Sequence, residues 1–216
     1  MNMLYFSRCF VSMLACIGLS ASSTIYAQSS TVSVSNYERV INTGNLYQKI
    51  EYVKELRRNW YEQSMVDLAL SEFEVKQSAS HQSLSQAELL YTILLGNFLL
   101  QARRNNFEVP ESTLALIESL SLDVGLNSSR EVVFENLLNI SILDTNSSEK
   151  LLSEAIRSGD EVYLRAALSA YAQLCDAFEE RRYEELYSEL DSTRKEIADQ
   201  IVPRLIEFKT RTRYCN

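Results

Sequence analysis

The chain has 216 residues, of which 46% are hydrophobic, and these suffice for one domain with a sizeable core. A formal net charge of −8 argues against anionic partners such as nucleic acids and anionic lipid surfaces. Only 5 glycines and 2 prolines occur, which leaves few places for tight turns and favours helices joined by short polar loops.

Residues 1–27 have the pattern of a cleavable signal peptide. Arg8 is their only charge, the run from Cys9 to Ala21 is mostly apolar, and Ala27 is the small residue that a cleavage site requires. We therefore expect cleavage after Ala27, a periplasmic or secreted protein, and a mature net charge of −9 because Arg8 is removed. Lipidation at Cys16 is one alternative and an uncleaved anchor is another. No later apolar run reaches membrane length, so no membrane insertion is expected after leader removal.

The remaining chain is predicted to form a single all-helical domain over residues 36–216, preceded by a disordered segment at 28–35. Ser35 or Asn36 is expected to cap a first short helix, and Asn45 to begin the second. A third amphipathic helix covers 65–75, and a polar loop follows at 76–84.

Four capping-box patterns, each a Ser, Thr or Asn followed three residues later by Glu, predict further helix starts. They are Ser85/Glu88, Ser128/Glu131, Asn146/Glu149 and Thr193/Glu196. The first pattern opens the most hydrophobic helix of the chain, which the polar run at 103–106 closes. Pro110 suits the first turn of the next helix. A long helix is predicted after residue 176, with a kink at Pro203.

Two predicted helices, over 128–144 and 160–176, share apolar positions at an offset of 32 residues. Two helices of similar length, each preceded by a shorter one, favour a repeat of helical hairpins. The second helix is apolar around most of its circumference, so it must be covered on more than one side. Tyr171 lies on its buried stripe and is predicted to be core.

This second helix resembles the second helix of a HEAT repeat, in which a turn precedes the pattern x-x-R-A-A-L-x-A-x-x-x-L. The residues that carry the resemblance are Arg165, Ala166, Ala167, Leu168, Ala170 and Leu174. The resemblance implies an all-α fold of stacked helical hairpins, a HEAT-like α-solenoid. A closed helical bundle is the alternative.

Two cysteines, Cys175 and Cys215, remain after Cys9 and Cys16 leave with the leader. Two cysteines in an exported protein usually pair, so a disulfide between them is expected. In the chain-entropy model, closing the loop between these cysteines stabilises the fold by about 4 kcal/mol. The alternative is a buried Cys175 that packs as a small hydrophobe and an unpaired Cys215.

Catalytic motifs are sparse. His81 is the only histidine, which argues against multi-histidine metal sites, and no Gly-x-Ser-x-Gly or Gly-rich phosphate loop occurs. The dipeptides Glu111-Ser112 and Glu118-Ser119 resemble the Glu-Ser of lysozyme-like enzymes, but the Gly-Leu-Met-Gln type segment that follows it there is missing. We therefore expect no enzymatic activity, no metal and no cofactor.

Carboxylates and tyrosines meet near the end of the chain, and this surface is the predicted partner contact. Its residues are Glu179, Glu180, Tyr183, Glu184 and Tyr187. Packing of the two tyrosines against the preceding helix is the alternative. The expected function is an exported non-catalytic protein-binding or scaffold module, and the acidic charge favours a basic protein partner. Two alternatives are an inhibitor or immunity-type protein that neutralises a basic exported toxin or enzyme, and a cell-wall-cleaving enzyme.

Overall fold

Ten α-helices and no strand make up the part of the chain that the computed structural model describes, residues 33–57, 62–77, 84–143, 145–158, 161–174 and 180–212. The helices are α1 Val34–Thr43, α2 Leu46–Leu56, α3 Gln63–Gln77, α4 Gln86–Arg104, α5 Glu111–Val124, α6 Arg130–Leu143, α7 Asn146–Ser158, α8 Glu161–Tyr171, α9 Glu180–Ser188 and α10 Ser192–Thr212. The predicted all-α class is therefore confirmed. Among these helices none is both long and apolar enough to span a membrane.

Two predicted helix starts, at Asn45 and Ser85, have the expected capping geometry. The Asn45 side chain accepts from the Gln48 N–H at 3.0 Å, and Gln48 Oε1 accepts from the Asn45 N–H at 2.9 Å. Ser85 and Glu88 exchange the same pair of bonds at 3.3 and 3.0 Å. Each box satisfies two backbone donors that have no partner within the helix, and so it fixes where α2 and α4 begin.

Other helices begin one or two residues away from the predicted cap. Ser33, and not Ser35 or Asn36, caps α1. α6 begins at Arg130, directly after Ser129, and the Oγ1 of Thr145 accepts from the Ser148 N–H at the start of α7. At α10 the cap is Asp191, which accepts from the Arg194 N–H at 2.8 Å. The sequence offers several neighbouring capping residues at each of these points, and the pattern alone does not choose among them.

The C-terminal helices are shorter than predicted. α8 ends at Tyr171, and not at residue 176, because Gln173 and Leu174 donate to carbonyls three residues back and so tighten the chain into a turn. The long helix predicted after residue 176 ends at Ser188, and α10 begins at Ser192 after the Asp191 cap, close to the new start that Thr193/Glu196 predicts. Pro203 lies inside α10.

Packing follows the order of the helices in the chain. Each even-numbered helix from α2 to α10 packs on the next even-numbered one, and each odd-numbered helix from α1 to α7 packs on the next odd-numbered one. Consecutive helices also pack together in the pairs α1/α2, α3/α4, α4/α5, α5/α6, α6/α7 and α7/α8. Over the described ranges, extensive packing joins only helices that are one or two places apart.

The buried hydrophobic residues form two clusters that meet at α6. The first core is built by α1 to α5, and the second core by α7 to α10 together with Leu174 and Leu190. Val132 and Ile142 of α6 belong to the first core, whereas Val133, Leu137 and Ile140 belong to the second. α6 is therefore the helix that both cores share. Tyr171 is buried in the second core, as predicted.

The contact between α4 and α6 is unusually close at Gly96. Every residue of α4 from 89 to 100 is buried, so neighbouring helices cover its whole circumference there. A Cβ on Gly96 would lie 3.3 Å from both Asn139 Nδ2 and Ile117 Cγ2. The Asn139 amide uses the space to donate to the Ile93 carbonyl at 3.0 Å. Gly96 thus lets a buried amide of α6 reach the backbone of α4.

Charged side chains connect α2 with α6 across α4. Arg57 donates from its two terminal nitrogens to the Glu135 carboxylate at 2.6 and 3.2 Å, and also to Asn97 Oδ1 of α4 at 3.2 Å. One turn away, Lys54 donates to Glu131 at 2.9 Å. The Arg57–Glu135 pair is mostly buried and held by two bonds, the geometry in which such pairs bind most strongly.

Gly96→Val is expected to destabilise the protein by about 1–3 kcal/mol, because its branched side chain overpacks the contact between α4 and α6. Gly96→Ala should cost less, since the helix propensity of alanine offsets part of the tight contact. Urea unfolding followed by circular dichroism measures both. Ala87→Val, at an exposed position of the same helix, is the control for β-branching. Equal losses at positions 87 and 96 would contradict the close-contact reading.

Ser85→Ala is expected to destabilise the protein by about 1 kcal/mol through loss of the α4 cap. The Ser85 backbone N–H and hydroxyl hold the pKa of Glu88 below its usual value. A lowered pKa stabilises the fold above the carboxyl's usual pKa, and that contribution is lost as the pH falls through the folded-state value. Glu88→Gln keeps the acceptor, as Gln48 does in α2, but cannot titrate. Urea unfolding between neutral and acidic pH should therefore show that the stability of Glu88→Gln depends less on pH than that of the wild type. An equal pH dependence would contradict the role of Glu88 in the capping box.

Candidate functional site

The predicted partner surface falls on α9 and α10. Tyr183 and Tyr187 lie one turn apart on α9, with ring centroids separated by 5.9 Å. Glu184 beside them is exposed. Glu180 is the first residue of α9, and its side chain lies outside the described part of the chain. Glu179, Cys175 and Cys215 also lie outside the described residues, as does His81.

Tyr187 ties α9 to α10. Its hydroxyl donates to Asp199 Oδ1 at 2.8 Å, and this bond is the main reason why the pKa of Tyr187 is raised. The Lys195 ammonium lies 5.5 Å from the centroid of the Tyr187 ring, within the range of a cation–π contact. α10 therefore contacts both the edge and the face of this ring.

Tyr183 lies deeper than Tyr187. It packs against the second core and is about half-buried, and burial raises its pKa to about 12, with smaller contributions from Tyr187, Asp199 and Tyr171. Both rings are thus used in part to hold α9 in place. Among the described side chains of this surface, Glu184 is the exposed one.

The excess of acidic residues lies in a different segment. Residues 110–174 contain ten Asp and Glu but only four Lys and Arg, whereas residues 180–212 contain eight and seven. α5 has three carboxylates, Glu111, Glu118 and Asp123, and no basic residue. Acidic residues are therefore in excess along α5 to α8, whereas α9 and α10 are nearly balanced in charge.

The outer face of α5 combines this charge with exposed leucines. Ile117 and Leu120 face the first core, and Leu114 is partly buried against it. Leu116 and Leu122, however, are 42% and 39% exposed. Sequence reasoning missed them because it looked for a single apolar stripe. The signal was present, since apolar residues in α5 occupy more of the circumference than one stripe requires.

The two Glu-Ser dipeptides have ordinary surroundings. The Glu111 side chain is 77% exposed and accepts from Arg103 at 2.8 Å, and Glu118 accepts from the Thr145 hydroxyl at 3.1 Å. A catalytic acid needs a desolvating cleft that raises its pKa, and Glu111 lies in open solvent. In the described ranges, no three His, Cys, Asp or Glu side chains are grouped so as to hold a metal ion.

Comparison with known proteins gives no relative: no family model, no curated protein and no solved structure matches this chain. The function therefore has to be inferred from the packing of the helices and from the surfaces of α5 and of α9 with α10.

Tyr183→Phe is expected to reduce the loss of stability at alkaline pH. A tyrosine in the unfolded chain ionises near pH 10, at about its ordinary pKa, whereas folded Tyr183 keeps its proton to about pH 12. The raised pKa stabilises the fold at any pH below the pKa of the unfolded tyrosine. This contribution is lost as the pH rises from the unfolded-state pKa to the folded-state pKa. Urea unfolding at about pH 8 and about pH 11 tests it. Tyr47→Phe, at an exposed ring, is the matched control, and equal effects of the two variants would contradict the burial of Tyr183.

Proposed function

We propose that this chain is an exported, non-catalytic protein-binding or scaffold module built as a HEAT-like stack of helical hairpins. The observation that carries the proposal is the packing order, in which helices contact neighbours one or two places along the chain. This is the contact pattern of repeat proteins, where each unit buries its hydrophobic face against the next. Such stacks offer extended surfaces to partners without performing chemistry.

The division into two cores supports a stack over a closed bundle. In a closed bundle the first and last helices would share one core. Here α1 to α3 contribute to the first core, α8 to α10 contribute to the second, and α6 joins them. The packing of α6 on α8 also suits the 32-residue offset, because equivalent helices of successive repeats lie side by side.

The net acidic charge of the chain favours a basic protein as the partner. Seven of the basic side chains in the described residues form ion pairs within the chain, namely Lys49, Lys54, Arg57, Lys76, Arg103, Arg157 and Arg194. Carboxylates outnumber basic residues, so those in excess give the surface its net negative charge. Their field speeds the encounter with a cationic partner more than it adds affinity. An inhibitor or immunity role is the case in which that partner is a toxin or an enzyme.

Glu184→Lys is expected to slow association with a basic partner captured from the cell envelope and to weaken its salt dependence, because it reverses one exposed charge. Surface plasmon resonance at low and high salt measures both the association rate and its slope. Glu38→Lys, at an exposed position of α1, changes the net charge equally but lies in the first core's half of the chain.

If Glu184→Lys and Glu38→Lys slow association equally, the partner does not contact α9. A partner whose association ignores both salt and charge reversal would contradict the proposal that acidic charge recruits it. If the captured partner is a toxin or an enzyme whose activity the protein suppresses, the inhibitor role follows.

A further inference from the structure

α9 is retained by a small apolar contact with the second core. Among its side chains from 183 to 188, Leu186 alone is buried, and Tyr183 and Tyr187 are partly buried beside it. α4, by contrast, is buried at every residue from 89 to 100. Of the ten helices in the described ranges, α9 is the only one that packs extensively on no other helix.

The sequence of α9 adds little helical stability of its own. The helix has nine residues, and isolated helices shorter than about 12 residues are marginal in water. In its first turn Arg181 and Arg182 outnumber Glu180, and Glu189 follows its last residue, so these charges mostly oppose the helix dipole. α9 therefore depends on its contacts with the rest of the fold to remain helical.

The polar contacts of α9 lie at the protein surface. Three of them fasten α9 and the residue after it to α10 and α7. They join Tyr187 to Asp199 at 2.8 Å, Ser188 to Lys195 at 3.3 Å, and Glu189 to Arg157. The Asp199 and Glu189 residues are exposed, and water competes for such groups, so each contact adds only modestly to the retention of α9.

The neighbours of α9 are held in place without it. α10 packs on α8 and buries Ile197, Ala198 and Val202 in the second core, and α8 packs on α6 and α7. Leu174 and Leu190, which precede and follow α9 in the chain, are buried in the same core. α9 can therefore leave the core while the elements on either side of it stay anchored.

We propose that α9 is a strap over the second core, which opens by losing its helical structure while α1 to α8 and α10 stay folded. Opening exposes Leu186 and releases Tyr183 and Tyr187 from α10. The predicted partner surface thus has a closed and an open form, and opening controls how much of the two rings a partner can reach. The strap follows from packing alone and does not depend on the binding function proposed above.

Native-state hydrogen exchange of the purified protein tests the strap, in urea concentrations below the unfolding transition and at a pH where exchange follows the opening equilibrium. The α9 amides should be protected at least about a hundredfold less than the α4 amides. Their exchange should also depend less on urea, because local opening exposes less surface than global unfolding does.

The decisive variant is Ser85→Ala, which removes the cap of α4. That cap remains formed when only α9 opens, so the variant should accelerate exchange of the α4 amides about fivefold and leave the α9 amides unchanged. Tyr187→Phe, which removes the bond to Asp199, should accelerate α9 exchange about two- to tenfold. Tyr47→Phe, at an exposed ring of α2, is the matched control and should leave α9 exchange unchanged.

Equal protection and equal urea dependence of α9 and α4 would overturn the strap. So would an equal acceleration of both helices by Ser85→Ala, because α9 would then open only when the whole protein unfolds. If Tyr187→Phe leaves α9 exchange unchanged, the bond to Asp199 does not hold the strap closed and the proposed fastening is wrong.

Discussion

The contact between α4 and α6 at Gly96 is the constraint on which the rest of the structure depends. α4 is enclosed by its neighbours, and the absence of a side chain at position 96 lets Asn139 donate to the Ile93 carbonyl without displacement of the surrounding atoms. A buried amide with no such acceptor would be costly, so this bond also fixes how α6 lies on α4. Because α6 supplies residues to both cores, its placement determines where the second core forms.

Charged side chains add a second link across the same helices. Lys54 of α2 reaches Glu131 of α6, and Arg57, directly after α2, reaches Glu135 of α6 and Asn97 of α4. These polar bonds cover α4 on the side where α2 and α6 approach each other.

Local chemistry explains how far sequence could predict this fold. Asn45 and Ser85 are each followed three places later by Gln or Glu, whose side chain completes the capping box, and both predicted starts are correct. Where several Ser, Thr, Asn or Asp residues are adjacent, as around Thr145, tertiary packing chooses among them and the predicted cap is displaced. The predicted end of α8 was wrong because backbone hydrogen bonds form a turn after Tyr171, and no residue pattern predicts that turn.

The candidate surfaces show the same limit. Clustering of Tyr183, Glu184 and Tyr187 is visible in the sequence, but the depth of each ring depends on α10, which begins at a cap the pattern did not identify. Leu116 and Leu122 could be recognised as surplus apolar residues of α5. Their exposure follows only from knowing that α3, α4, α6 and α7 pack on the other sides of that helix.

The distance between the two ends of the helical array tests the account most directly. Spin labels on Glu38 of α1 and Glu207 of α10, both exposed, can be introduced through unnatural amino acids so that the native cysteines are kept. Packed helix axes lie about 8–10 Å apart, so successive steps through α4, α6 and α8 predict a separation of about 25 Å or more by double electron–electron resonance. A single distribution at about 15 Å or less would place α1 beside α10, and a closed bundle would then replace the stack.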